Sequence, residues 1–175
     1  MALFTLRRLD VCQALLLAVA ASLAGCGALL PIQPGMTGQA VIAQRGSPTR
    51  TVPLADATGA VTGSRLQYSS QPMGQSALMV DLDTSGKVTA SRQVLQSAEF
   101  ARIQPGQWTR PDVEREFGPP AKVDRVASWQ GDILNYRWRD PGGTDMLLWV
   151  YLDAANTVQR VGQGMELPIE VFEKD

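Results

Sequence analysis

Along residues 133–139 apolar and polar positions alternate, with Leu134, Tyr136 and Trp138 on one side and Asn135, Arg137 and Arg139 on the other. That period of two predicts a half-buried strand. Residues 146–152 are apolar on both sides and predict an interior strand. The turn Asp153-Ala154-Ala155-Asn156 then leads into a third strand over 158–161. The same succession occurs about seventy residues earlier, as strands over 64–69, 77–82 and 88–95, the last two joined by the turn Asp83-Thr84-Ser85-Gly86. Ahead of each set the period changes. Thr109 is a natural N-cap, Pro111 falls where a missing amide is harmless, Asp112 suits the positive end of the helix dipole, and Val113 and Phe117 form an i, i+4 apolar pair. Gly118-Pro119-Pro120 stops the helix. The first set opens in the same way with Thr37, Val41, Ile42 and Gly46-Ser47-Pro48, weakened by Gly38 near its start. Residues 49–63 are rich in Thr, Ala and Gly without a clear period, and are expected as an irregular loop or a poorly formed edge strand.

These parallels amount to an internal repeat. Ile32-Gln33-Pro34-Gly35 recurs as Ile103-Gln104-Pro105-Gly106, Leu66-Gln67-Tyr68 answers Leu134-Asn135-Tyr136, and Val80-Asp81-Leu82-Asp83 answers Val150-Tyr151-Leu152-Asp153. Thr37, Val41, Gly46 and Val88 match Thr109, Val113, Gly118 and Val158, so the offset drifts only between 68 and 72. The expected fold is α+β: two tandem units, each a short helical segment packed on a three- to four-stranded antiparallel sheet.

The N-terminus carries a different signal. Arg7 and Arg8 precede an apolar stretch over 14–24, interrupted by Gln13 just before it and by Ser22, which is the order of a secretory signal. It is about half the ~20 residues a spanning helix needs. Leu23-Ala24-Gly25-Cys26 then resembles the lipobox of bacterial lipoproteins. By that resemblance, Cys26 receives a diacylglyceryl group, cleavage falls before it and the freed amine is acylated; two or three buried chains at ~0.8 kcal/mol per CH₂ anchor a protein almost irreversibly. Gly27 stands where an aspartate marks inner-membrane retention in many Gram-negative lipoproteins, so outer-membrane sorting facing the periplasm is expected. The organisation read from the chain is a lipoprotein signal over 1–25, a lipidated tether over 26–34, a first unit over 35–96, a second over 97–164 and a solvated tail over 165–175, with strand addition to a partner as a lesser role for the tail.

Composition narrows the chemistry. The 175 residues contain 16 Lys and Arg, 17 Asp and Glu and no histidine. The charge balance offers no footprint for nucleic acid. The missing imidazole removes the commonest general base and the commonest neutral metal ligand. Cys12 and Cys26 are the two cysteines, and Cys12 lies in the discarded segment, so neither a disulfide framework nor a thiolate cluster is available to the mature chain. Asp81 to Gly86 superficially opens an EF-hand loop, but Arg92 occupies the twelfth position where a bidentate glutamate belongs; a hairpin turn is the better account. Thr84-Ser85-Gly86-Lys87 lies in the same turn and offers no catalytic pair. No enzyme, cofactor or metal is expected.

Gly106-Gln107-Trp108-Thr109, Val113 and Gly118-Pro119-Pro120, followed by an aromatic strand, resemble the SmpA/OmlA (BamE-like) lipoprotein family, whose motif is Gly-Met-Thr, a valine four residues on, and Gly-x-Pro ahead of a three-stranded sheet. Gly35-Met36-Thr37, Val41 and Gly46-Ser47-Pro48 fit it more closely; Trp108 is an extra residue inside the second motif. The motif positions carried over are Gly35, Thr37, Val41, Gly46, Pro48, Gly106, Thr109, Val113, Gly118 and Pro120. Two copies in tandem resemble the arrangement of the beta-lactamase inhibitor protein. The resemblance implies a non-enzymatic outer-membrane lipoprotein that supports envelope integrity by binding the β-barrel assembly machinery or a related partner; the alternative is a periplasmic inhibitor that blocks an envelope enzyme through the concave surface of paired sheets.

Aromatic residues crowd the second copy. Most are expected in the core, but Trp149 and Tyr151 share a face of the interior strand, and Arg137 and Arg139 project from its neighbour. If those faces coincide away from the helix, aromatic-plus-arginine is the composition of a protein-binding surface. Trp108 is a further candidate at the start of the second helix, with a hydrophobic staple as its other role.

Overall fold

A computed structural model describes residues 31–167. The signal segment, Cys12, Cys26, most of the tether and residues 168–175 lie outside the described residues. The elements run α1 (Gly38–Arg45), β1 (Arg50–Ala55), β2 (Val61–Ser69), β3 (Ala77–Asp83), β4 (Val88–Gln93), a single turn of helix α2 (Ser97–Phe100), α3 (Arg110–Phe117), β5 (Lys122–Asp124), β6 (Ile133–Arg139), β7 (Asp145–Leu152) and β8 (Val158–Met165). Among the described residues they build two four-stranded antiparallel sheets in sequence order, β1-β2-β3-β4 and β5-β6-β7-β8, so the class is α+β with two sheet units.

Helices α1 and α3 are fixed at both ends by the residues around them. The Thr37 hydroxyl accepts from the Ala40 amide at 3.2 Å. At α3 the Asp112 carboxylate accepts from the Thr109 backbone amide at 2.8 Å and from the Thr109 hydroxyl at 2.6 Å, so two groups at the helix start are satisfied by one acid. Burial alone would raise the Asp112 pKa; the Thr109 donors and the Arg115 guanidinium outweigh it and hold the carboxyl below its usual range. A depressed folded pKa contributes stability above the unfolded value, lost as the pH falls through the folded one. Asp112→Asn is therefore expected to lower stability by about 1 kcal/mol at neutral pH. Denaturant melts should show the gap between variant and parent closing as the pH drops below that depressed value.

The helices end at Gly46 (φ +82°) and Gly118 (φ +79°), a backbone region that other residues enter only with strain. Both carbonyls are taken by a tyrosine of the following sheet: Tyr68 Oη donates to Gly46 at 3.2 Å and Tyr136 Oη to Gly118 at 2.9 Å. Other bonds recur at matched positions. Gly35 N–H donates to the Val88 carbonyl as Gly106 does to Val158, and the Val88 and Val158 amides donate to Met36 and Trp108. The interior strands carry the same register shift, at Asp81/Leu82 and at Tyr151/Leu152.

The layers follow from which strand faces are apolar. Leu66, Val80, Leu82 and Val88 cover one face of the first sheet and enclose Val41 of α1 with Ile32. Leu134, Tyr136, Trp138, Leu148, Val150 and Val158 cover one face of the second sheet and enclose Val113 and Phe117 of α3. The second core also takes in Ala77 and Met79, which point from the opposite face of the first sheet, together with Phe100 and Ile103 from the connection. Helix α3 thus lies between the two sheets, giving the layer order α1, first sheet, α3, second sheet. Among the described residues the two sheets are not hydrogen-bonded to one another.

Two expectations are sharpened. Of the alternatives open for residues 49–63, the edge strand holds over 50–55, paired with β2 from Arg50↔Gln67 through Ala55↔Val61 with a register shift at Leu54/Ala55, while residues 61–63 belong to β2; Asp56, Thr58 and Gly59 close the hairpin. Second, β8 continues to Met165, and Glu166 donates its amide to the Asp145 carbonyl and pairs its carboxylate with Arg137 at 2.7 Å. Met165, expected in a solvated tail, is the last residue of β8, and Glu166 is tied to the neighbouring strand. Gly162 and Gly164 lower the apolar count of β8 and made the strand look shorter.

Candidate binding face

The side of the second sheet turned away from α3 has no helix on it among the described residues. Strand register decides its membership. Asn135 pairs with Trp149, Arg137 with Leu147 and Arg139 with Asp145, and across β8 Tyr151 pairs with Arg160 and Trp149 with Gly162. Directly opposed residues share a face, so Arg137, Arg139, Trp149 and Tyr151 do lie on one side, away from the helix.

They do not all act together. The Arg137 guanidinium is engaged by Glu166 and by the carbonyls of Pro72 (3.3 Å) and Met73 (2.8 Å), tying the second sheet to the loop between β2 and β3. Arg139 pairs with Asp145 at 2.8 Å. Arg137 is a structural clamp at one end of the face, and Arg139 is half of an exposed cross-strand ion pair beside it. Trp108 is placed elsewhere: half-buried, packed against the second core, 6.3 Å from the Phe117 ring. Its buried part covers Phe117 of α3, as a staple would.

Trp149 and Tyr151 instead meet residues that strand patterning did not single out. The loop between β5 and β6 brings Trp129 over the face, its indole N–H donating to the Leu152 carbonyl at 2.7 Å. Its ring meets Tyr151 edge-on, with centroids 5.2 Å apart. The Arg160 guanidinium lies 4.0 Å from the Tyr151 ring centre and 5.4 Å from that of Trp129, a cation–π stack. These residues, with Asn135, Asp124 and Val126, line a cavity of about 510 Å³. Asn135 is buried, its amide donating to Asp124 (3.2 Å) and to the Ile133 carbonyl (3.0 Å). The Arg160 guanidinium has no carboxylate within ion-pair distance among the described residues.

Trp149 owes its position to β8. A Cβ built on Gly164 would stand 2.8 Å from the far edge of the Trp149 ring, and one on Gly162 3.5 Å from it. The glycines let the indole lie across β8 toward the sheet edge. Gly164→Val is accordingly expected to push the ring off β8 at about 1–2 kcal/mol, and a shift in tryptophan emission together with the melting curve checks it. The alternating Gly162 and Gly164 beside Arg160 are the signal in the sequence that could have pointed to this patch; the position of Trp129 depends on a loop and had none.

The turn carboxylates are occupied by their own turns. Asp83 accepts from the Ser85 amide, the Ser85 hydroxyl and the Lys87 amide at 2.7–2.9 Å, and the Ser85 hydroxyl in particular holds its pKa below the usual range. Asp153 does the same for Ala155 and Thr157. Among the described residues no group of three or more Asp, Glu, His or Cys is arranged to hold a metal ion. No described helix is long and apolar enough to cross a membrane. What the open face can do chemically is present flat aromatic area, a stacked cation and a few fixed polar groups to another molecule.

No protein-family model matches this chain, and no curated protein does. Among solved structures, a DUF4309 family protein (YjgB) from Bacillus subtilis subsp. subtilis str. 168 is similar at 18% identity with a TM-score of 0.30, over 74% of this chain and 78% of that one.

Proposed function

We propose that this chain is a lipid-anchored protein of the bacterial outer membrane, built from two BamE-like units, that works by binding a protein partner in the periplasm and catalyses nothing. The partner is a component of the β-barrel assembly machinery or a related envelope assembly, and the outcome is maintenance of the permeability barrier. The observation that carries the reading is the open face of the second sheet, where Trp149, Tyr151, Trp129 and Arg160, which has no carboxylate partner among the described residues, converge on one cavity. Aromatic residues and arginine dominate the energetics of protein recognition. The motif positions support the family assignment: Thr37 and Thr109 start the helices, Val41 and Val113 are fully buried beneath them, and Gly46 and Gly118 end them. The lipobox ending at Cys26 supports the anchor.

Two measurements on the source bacterium test it. A fatty-acid label is expected on the wild-type chain in the outer-membrane fraction, and Cys26→Ser is expected to abolish the label. Deleting the chain is expected to raise sensitivity to detergents and large antibiotics. A soluble, unlabelled wild-type protein, or an intact barrier in the deletion strain, contradicts the proposal.

A further inference from the structure

The molecule already contains one sheet face of this kind with its occupant in place. On the first sheet, the face turned away from α1 receives the C-terminal half of α3. Gln67 Nε2 donates to the carbonyls of Glu114 and Arg115 at 3.0 Å each, and Arg65 Nη1 donates to the Arg115 carbonyl at 3.0 Å. Arg65 and Arg92 take the Glu116 carboxylate at 2.9 and 3.0 Å, and Arg50 takes Glu114 at 3.3 Å. The helix end sits close over the sheet, since a Cβ on Gly118 would be 3.5 Å from the Met79 methyl. A helix C-terminus carries unpaired carbonyls and partial negative charge. Side-chain donors and arginines on a sheet face therefore suit it, and more so when the helix is acidic.

On the second sheet no described element covers the corresponding positions. Asn135 stands where Gln67 does, and Trp149 where Met79 does, by the registers Gln67↔Met79 and Asn135↔Trp149; Asn135 is buried with its amide already given to Asp124 and Ile133, so the donor for an incoming group is Arg160. The cation on the edge strand is displaced along it: Arg92 stands opposite Met79, whereas Arg160 stands opposite Tyr151 and Gly162 opposite Trp149. The contact with the Tyr151 ring satisfies no N–H of the guanidinium, and no described carboxylate takes one, so its donors suit a carboxylate or carbonyl. A second copy of this chain is a poor occupant, because α1, the helix it would present, reads GQAVIAQR and has no acid to meet Arg160.

We infer that the open face of the second sheet docks the C-terminal half of an acidic helix from a different protein, with a carboxylate on Arg160 and an apolar side chain on Trp149. The inference deepens the proposed reading by giving the chemistry of the partner.

The test uses the full-length, lipidated chain in its own cells. A photo-crosslinking residue is placed at Val126, which is exposed at the rim of the cavity, and the crosslinked peptide is mapped by mass spectrometry. The expected attachment point is within the last two turns of a helix bearing Asp or Glu. Arg160→Glu in the same chain should reduce the yield at least tenfold, Arg160→Lys should retain part of it, and changing the mapped acid to Arg should restore the yield to Arg160→Glu. Unchanged melting of Arg160→Glu establishes that the fold is intact, and if it melts early Arg160→Gln replaces it. Attachment to a strand, a basic segment or lipid overturns the inference, as do the absence of any protein crosslink and a yield indifferent to Arg160. The proposed reading fails separately, through the label and the barrier, whatever the crosslink shows.

Discussion

Replacing Arg65 with leucine is expected to destabilise the protein by about 3–5 kcal/mol, lowering the melting temperature by roughly 10 °C or more. The Arg65 side chain is only 4% exposed although it comes from the first sheet and is charged. It is neutralised from two sides, by Asp81 on the neighbouring strand and by Glu116 of α3, and it donates to the Arg115 carbonyl. Leucine fills the space but leaves the mostly buried Asp81 with Arg92 at 3.8 Å and Glu116 with Arg92 at 3.0 Å and the more distant Arg102 and Arg115, and it reduces the donors on the Arg115 carbonyl to Gln67 alone. The cost of breaking a buried pair comes chiefly from the charge left behind. Replacing Arg65 and Glu116 together by methionine should therefore destabilise less than the sum of the single changes. Thermal melts of the three variants read this directly, and additive losses would mean that the two groups do not act as a pair.

Phe117→Ala is expected to have a comparable effect, about 3–5 kcal/mol. Phe117 is 1% exposed at the last turn of α3, with ring centres of Phe100, Tyr136 and Trp108 at 5.6, 6.1 and 6.3 Å. Its removal leaves a cavity among large, rigid aromatics that cannot collapse into it. Because α3 is held by both sheets, the loss should be felt across both units, and probes in each, such as Trp138 and Tyr68, are expected to melt together at the lower temperature. Phe117→Leu keeps most of the volume and should fall below about 2 kcal/mol.

Much of this arrangement was legible in the sequence because it rests on local periodicity. The alternation of residues 133–139 and the capping pattern around Thr109 and Gly118 depend on neighbours along the chain, and strand β6 and helix α3 fall where they place them. The stacking of the units was not legible. Nothing local in Arg65 or Gln67 announces that a helix fifty residues away will cover them; in a strand pattern they read as solvated polar positions. The candidate face was half visible for the same reason. Trp149 and Tyr151 share a face by strand geometry alone, whereas the pairing of Arg137 with Glu166 requires knowing where β8 ends, and the stack of Arg160 on Tyr151 requires the register across a bulge. Trp108 was ambiguous because an aromatic at a helix start packs or protrudes according to what lies above it, and here the Phe117 ring does.

Recognition through the open face of the second sheet is the claim on which the functional account turns. It is tested most directly by returning the full chain carrying Trp149→Ala and Arg160→Ala to a strain that lacks it, and measuring entry of a large antibiotic. The account predicts that this variant, present in the membrane at wild-type level and melting within a few degrees of the parent, leaves the barrier as leaky as the deletion does. Full restoration of the barrier by the same folded, membrane-bound variant would contradict it.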